Sequence, residues 1–237
     1  MIPHETIEVF SNLWFAANII TIIVIYLSLY YGREVLISYN ERLRFAFLIG
    51  FVLMIRAIIT HPYQIYVDKW VVESSLPLHL CGISSIISFV LLFRFNQFLY
   101  EFLVLLGIPG AIQALLTPEL TLGIDAFFLT EYFISHGGII LSGLYLTIVL
   151  NHRPRVGSWL KVAMYSQVLL VVIHVINLSL DSNYMYTRIK PIVDNPLIIG
   201  EHPYYYIGFE LIGLLSIILF YYLFTKMNIK LSLKEVD

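Results

Sequence analysis

Apolar residues along this chain occur in seven long runs separated by short polar breaks. A helix needs about 20 mainly apolar residues, at ~1.5 Å of rise each, to cross a hydrocarbon layer of ~30 Å. Each of the seven runs reaches about this length, so the pattern predicts an all-α polytopic membrane protein, a bundle of seven transmembrane helices. The predicted spans are residues 12–32, 43–61, 76–95, 97–117, 130–150, 159–179 and 204–225.

The spans follow one another without a long polar insertion, which predicts one transmembrane domain over residues 12–225. Residues 1–11 and 226–237 are then short tails on opposite sides of the membrane. The break between the third and fourth spans is only Arg94-Phe95-Asn96-Gln97. We therefore expect these two helices to form a tight antiparallel hairpin.

Basic residues are distributed unevenly between the two sides of the predicted bundle. One side carries ten Lys and Arg residues and the other three, with Arg56 left inside the second span. Cytoplasmic loops retain positive charge, so we expect the N-terminus outside and the C-terminus in the cytoplasm. The ten residues are Arg33, Arg42, Arg44, Arg94, Arg153, Arg155, Lys161, Lys226, Lys230 and Lys234, and the three are Lys69, Arg188 and Lys190.

The amino-acid composition is also that of a protein surrounded mainly by lipid. Residues of the apolar set make up 59% of the 237-residue chain and charged residues 13%, about half the charged fraction of ~25% that is usual in soluble domains. A net charge of −2 leaves no basic surface for nucleic acid, which is excluded as a partner. No nucleotide, CoA or zinc motif is visible, so neither a cofactor nor a metal is expected.

Polar residues inside the predicted spans gather in the half of the bundle that this orientation places outside. Each ionisable group in hydrocarbon costs at least ~2.5 kcal/mol, so their convergence predicts a shared hydrated cavity. The residues singled out as candidates in this layer are Arg56, His79, Cys81, Gln113, His136, His174, Asn177, Asp181 and Glu210.

Several of these residues have a structural interpretation as well as a functional one. Arg56 forms an ion pair with Glu210 or Asp181, extends to the outer lipid headgroups, or holds a lipid phosphate. His174 and Asn177 lie on one stripe of the sixth span, where hydrogen bonding between helices is the alternative to direct chemistry.

Cys81 and His136 form the most reactive pair in this layer. Cys81 lies within about two turns of the start of the third predicted helix, whose dipole favours a thiolate. His136 lies near the start of the fifth predicted helix, on the same side and at comparable depth. A cysteine and a histidine together are what acyl transfer from a lipid ester requires.

Four motifs in order, Leu76–Cys81, Gly110–Pro118, His136-Gly137 and Asn183–Tyr186, closely resemble the YwaF family of bacterial integral membrane proteins. The resemblance runs from about Leu43 to Phe224. YwaF proteins are similar in turn to the transmembrane protein 164 family, for which a phospholipid acyltransferase activity using a cysteine and a histidine is implied. The resemblance thus implies a multi-pass protein of the bacterial plasma membrane, with these two roles falling on Cys81 and His136.

The leading hypothesis is an acyltransferase or transacylase that needs no CoA, with membrane lipids of the outer leaflet as both donor and acceptor. Cys81 attacks the ester carbonyl and His136 is the general base. Asn177 or Asp181 orients the imidazole, and Arg56 holds a phosphate. His79 or Gln113 donates a hydrogen bond to the oxyanion.

Two other classes of function use the same residues. One is a protein that binds a lipid or small solute without covalent chemistry, as a transporter or a sensor. The other is a metal-dependent membrane hydrolase that uses His79, His136 and His174 with Asp181.

The charge asymmetry predicts that residues 151–161 face the cytoplasm and residues 62–75 and 180–203 face outside. In a Cys81→Ala background, an impermeant thiol reagent applied to intact cells should label Asp194→Cys and spare Gly157→Cys. The reverse labelling pattern would overturn the orientation.

Overall fold

The computed structural model describes residues 5–120, 122–191, 200–201 and 203–227, and most of these are helical. Two short strands, β1 (Glu5–Thr6) and β2 (Glu119–Leu120), pair antiparallel. One-turn helices lie at Val72–Ser75 and Tyr184–Tyr186. The longer helices are α1 (Asn12–Val35), α2 (Tyr39–Tyr66), α3 (Leu80–Phe93), α4 (Gln97–Leu116), α5 (Ala126–Ile148), α6 (Ser158–Leu180) and α7 (Tyr205–Lys226).

Six of these helices are long and apolar enough to cross a membrane, which supports the predicted helical multi-pass class. The exception within the described ranges is α3, which has 14 residues and rises only ~21 Å. The third span was predicted from residue 76, but the helix begins at Leu80 because Leu76 and His79 have extended backbones. Pro77 disfavours helical geometry at the residue before it.

Side-chain caps explain why two other helices begin earlier than predicted. The hydroxyl of Ser38 accepts from the backbone N–H of Glu41, whose carboxylate accepts in return from the backbone of Ser38. This capping box starts α2 at Tyr39 rather than at residue 43. Asp125 accepts from two N–H groups and starts α5 at Ala126 rather than at residue 130.

Helix α2 also continues beyond its predicted end at residue 61. It passes through Pro62 and reaches Tyr66. Tyr63, in this extra turn, stacks on Phe127 with ring centroids 3.8 Å apart. Proline removes one backbone hydrogen bond, and aromatic packing of this kind offsets that loss.

Helix α5 lies at the centre of the bundle and packs against α1, α2, α3 and α4. Small residues on α5 permit this close packing. A Cβ at Gly143 would lie 2.6 Å from the end of the Ile108 side chain, and one at Gly137 would lie 2.7 Å from a methyl group of Thr21. The buried Tyr145 hydroxyl donates to the carbonyl of Arg42, 2.9 Å away.

The segment predicted as an N-terminal tail is partly folded. Glu5 and Thr6 pair with β2, and Ile7 is buried. Residues 1–4 of that tail, residues 192–199 and 202 of the predicted 180–203 loop, and residues 228–237 of the predicted C-terminal tail lie outside the described residues.

Packing at Gly143 predicts a position-specific effect on stability. Gly143→Leu should lower the free energy of unfolding by about 1–3 kcal/mol, because a larger side chain overpacks the contact with Ile108. Thermal unfolding in detergent checks this, with Gly213→Leu as the matched control, since a Cβ there meets no atom of the described residues within 4 Å. Equal melting temperatures for the two variants would contradict this account of the packing.

Candidate functional site

A cavity of about 870 Å³ lies between the C-terminal half of α2, the start of α3, the C-terminal half of α4, the first half of α5, and α6 and α7. This volume is within the range of small-molecule sites. Six of the nine residues selected from the sequence line it, and the other three do not. The six are Arg56, His79, Cys81, Gln113, His136 and Glu210.

Cys81 lies in the first turn of α3, directly after the non-helical segment that carries Pro77 and His79. No side chain caps this helix start. A Cβ on Gly82 would lie 2.9 Å from backbone atoms of Pro77, closer than atoms can approach. Glycine at this position therefore allows the segment from Leu76 to fold back over the helix start beside the Cys81 thiol.

His136 is held by its own helix. Its Nδ1 lies 2.7 Å from the carbonyl oxygen of Tyr132, and the two rings lie 4.1 Å apart. A carbonyl can only accept, so Nδ1 carries the proton and Nε2 is the basic nitrogen of the neutral ring. The ring is 8% exposed and lines the cavity.

His79 has the opposite tautomer. Its Nδ1 accepts from the backbone N–H of Met185 at 3.2 Å, which puts the ring proton on Nε2. The ring also packs against Tyr184 and Tyr186, with centroids 5.3 and 5.4 Å away. His79 is thus a hydrogen-bond donor through Nε2, whereas His136 is an acceptor through Nε2.

Arg56 lines the cavity, but its partner is not the one expected. It forms an ion pair with Glu131 of α5 and hydrogen-bonds to the hydroxyl of Ser85 on α3. The predicted pairing with Glu210 or Asp181 is wrong. Only 14% of the Arg56 side chain and 19% of the Glu131 side chain are exposed, so the two charges neutralise each other inside the bundle.

Glu210 bonds instead to its neighbouring helix. It accepts a hydrogen bond from Gln167 of α6, which joins α6 and α7 beside the cavity. Gln113 donates to the hydroxyl of Thr117 one turn later, at 3.1 Å.

Asn177 organises the aromatic loop, which we define as residues 182–188. Its amide nitrogen donates to the carbonyl of Tyr184 at 2.8 Å and to the hydroxyl of Thr187 at 2.7 Å. Its amide oxygen accepts from the Ser182 hydroxyl at 2.7 Å and from the Tyr184 N–H at 2.8 Å. Asn177 is fully buried, and these four bonds use both ends of its amide.

The aromatic loop needs this support because part of its backbone is strained. Met185 and Tyr186 have φ values of 52° and 54°, a region that costs a residue with a side chain roughly 1–2 kcal/mol. Tyr184 donates to the carbonyl of Val72 and accepts from the N–H of Leu76. Burial and the neighbouring Glu119 carboxylate raise the pKa of the Tyr186 phenol, as does its proximity to Cys81.

The roles predicted for the stripe on α6 are therefore wrong in one respect. Asn177 and Asp181 do not orient the His136 imidazole, which the Tyr132 carbonyl holds. Asp181 pairs with Arg188 at 2.7 Å, and His174 lies 3.2 Å from the Thr187 hydroxyl. His174, Asn177 and Asp181 of α6 thus position the aromatic loop. Met185 of this loop in turn positions His79.

The residues that a metal-dependent hydrolase would use are not brought together in the part of the chain that the structure describes. Among the described residues, no three or more His, Cys, Asp or Glu side chains are grouped so that they could hold a metal ion. His174 and Asp181 are engaged by the aromatic loop rather than directed toward His79 and His136.

Other cavity residues were not selected from the sequence. Gln64 is 4% exposed, lines the cavity, and has a side-chain oxygen with no partner among the described residues. It lies eight residues after Arg56, with Thr60 between them, so helical spacing would have found it had α2 been extended past Pro62. Tyr132 carried no signal that distinguished it from an interfacial tyrosine, and Tyr186 was visible only as part of the Asn183–Tyr186 motif.

Comparison with known proteins identifies a family match. Residues 7–221 match the model of the TMEM164 family, which is most of the chain. None of the curated proteins and none of the solved structures compared with the chain matches it.

The Asn177 contacts predict a local effect. Asn177→Ala removes four hydrogen bonds at about 1 kcal/mol each, so amide exchange in residues 183–188 should rise about tenfold or more while α6 stays protected. Hydrogen exchange with mass spectrometry measures this, and Ser179→Ala on the same helix is the control. Unchanged protection of residues 183–188 would contradict the role given to Asn177.

Proposed function

The chain belongs to the TMEM164 family, and from this premise we propose that it is an intramembrane acyltransferase or transacylase. Its substrates are ester-linked acyl chains of phospholipids or other lipids, and lipids are also the acceptors. The observation that carries the proposal is that Cys81, in the first turn of α3, and His136, at the middle of the neighbouring helix α5, line one cavity.

Acyl transfer through these residues proceeds in two balanced steps. In the first, His136 Nε2 takes the thiol proton of Cys81 while Sγ bonds to the ester carbonyl carbon; the ester C–O bond then breaks and the leaving lysolipid oxygen takes the proton back. In the second, Nε2 takes a proton from the acceptor hydroxyl, whose oxygen attacks the thioester carbon. The C–S bond breaks and the proton returns to Sγ.

Two features support these roles. The hydrogen bond from Nδ1 to the Tyr132 carbonyl leaves Nε2 as the proton acceptor. His79 Nε2–H, set by the Met185 contact, is a donor on the wall that carries Cys81 and suits an oxyanion. Arg56 is neutralised by Glu131, so its part here is to hold α2, α3 and α5 together rather than to bind a free phosphate.

We propose further that the chain crosses the bacterial plasma membrane seven times, with the N-terminus outside and the C-terminus cytoplasmic. Helix α3, completed by the non-helical segment from Leu76 to His79, is the element that raises the number of crossings from six to seven. Non-helical backbone is tolerated at membrane depth where it lines a cavity, and Leu76, Pro77 and His79 do line it. The ten-to-three charge asymmetry supports the orientation.

The covalent mechanism predicts a specific mutational pattern. Cys81→Ala should lower acyl transfer by about 10³-fold or more, and His136→Ala by about 10²- to 10⁴-fold. The double variant should lose little more than Cys81→Ala alone, because the two residues act as one unit. The measurement is transfer of a labelled acyl chain between lipids by purified protein in vesicles, together with intact-mass detection of an acyl adduct on Cys81.

Ser88→Ala is the matched control, because this buried hydroxyl is on α3 and bonds to the Ser84 carbonyl at 2.8 Å. It should retain transfer activity. Full activity in Cys81→Ala would reject the thioester intermediate. Lipid binding by the wild-type protein without any transfer would favour the non-catalytic binding function instead.

A further inference from the structure

The walls of the cavity differ in polarity. Arg56, Gln64, Glu131 and His136 line it from α2 and α5. The side formed by α6 and α7 is mainly apolar, and three of its polar side chains bond to groups within these two helices. Gln167 bonds to Glu210 across the two helices, and Ser166 donates to the carbonyl of Ala163 at 2.7 Å.

The α6–α7 wall, which we define as the cavity-lining residues of these two helices, is also open to the surface of the bundle. Met164, Leu211 and Leu214 line the cavity and are 61%, 56% and 40% exposed. These residues belong to membrane-spanning helices, so the medium at this opening is hydrocarbon. A molecule that enters here comes from the bilayer.

A row of residues on α7 faces into this wall. Glu210, Gly213, Leu214 and Ile217 are spaced three, four and seven residues apart, so they share one helix face, and all four line the cavity. A Cβ built on Gly213 meets no atom of the described residues within 4 Å, in contrast to the packed glycines of α5. Close packing between helices therefore does not explain Gly213.

We propose that the α6–α7 wall is the acyl-chain subsite, with Gly213 determining how long or bulky a chain it accepts. The subsite rests on the proposed function, since the chain it holds is that of the ester presented to Cys81. From Tyr206 to Ile217, the cavity-lining part of α7 rises ~16 Å. An amphipathic lipid fits this arrangement, with its tail on the apolar wall and its polar end toward α2 and α5.

The position of the chain is tested by photo-crosslinking. Vesicles contain a phospholipid with a diazirine on the terminal carbon of one acyl chain, and labelled peptides are mapped by mass spectrometry. Wild-type protein should be labelled within residues 163–170 and 210–217. Gly213→Phe should lower this labelling by about tenfold or more, since a filled subsite discriminates by at least this factor.

Leu215→Phe is the control, because Leu215 is on the same helix, is 65% exposed and does not line the cavity. It should leave labelling unchanged, and both variants should melt close to the wild-type temperature. Labelling confined to outward residues, or equal labelling of Gly213→Phe and wild type, would overturn the subsite.

Activity assays test the subsite separately from the proposed reaction. With dioctanoyl and dioleoyl donors, Gly213→Phe should lower transfer of the long chain relative to the short chain by about tenfold, and Leu215→Phe should not. Transfer by a wild-type protein that is not labelled on the α6–α7 wall would overturn the subsite and leave the proposed function standing. Labelling of the α6–α7 wall without any acyl transfer would overturn the proposed function and leave the subsite standing.

Discussion

Buried backbone groups need hydrogen-bond partners, and this constraint shapes the two irregular segments that form one end of the cavity. The non-helical segment before α3 and the aromatic loop after α6 both carry backbone groups that no regular helix satisfies. Asn177 satisfies the loop with four hydrogen bonds, and Tyr184 ties the loop to Val72 and Leu76. Two irregular segments thus satisfy each other and form one end of the cavity.

Contacts with the backbone determine the tautomers of the two cavity histidines. His136 donates to a carbonyl within its own helix, whereas His79 accepts an N–H from the aromatic loop. One ring therefore offers an acceptor and the other a donor, which is the pairing that acyl transfer needs. Backbone position, rather than a partner carboxylate, sets both tautomers.

Two acidic side chains inside the bundle are neutralised by arginine partners. Arg56 and Glu131 neutralise each other across α2 and α5, and Arg155 pairs with the fully buried Glu101 at 2.7 Å toward the opposite end of the bundle. A neutralised arginine joins helices but is a weak attractant for anions. The cavity accordingly combines a polar region that contains the Arg56–Glu131 ion pair with a mainly apolar wall, a combination suited to an ester group attached to a hydrocarbon chain.

The sequence alone determined the helical membrane class, the approximate span limits, and the sharing of one layer by Cys81, His136, His79, Arg56, Gln113 and Glu210. These follow from hydropathy and helical spacing, which are local properties. The structure decided which partner each polar group takes. Arg56 pairs with Glu131 rather than Glu210, and Asn177 binds the aromatic loop rather than His136. Hydropathy and spacing give a residue's depth and its face on its own helix, whereas its partner depends on how neighbouring helices rotate and pack against one another.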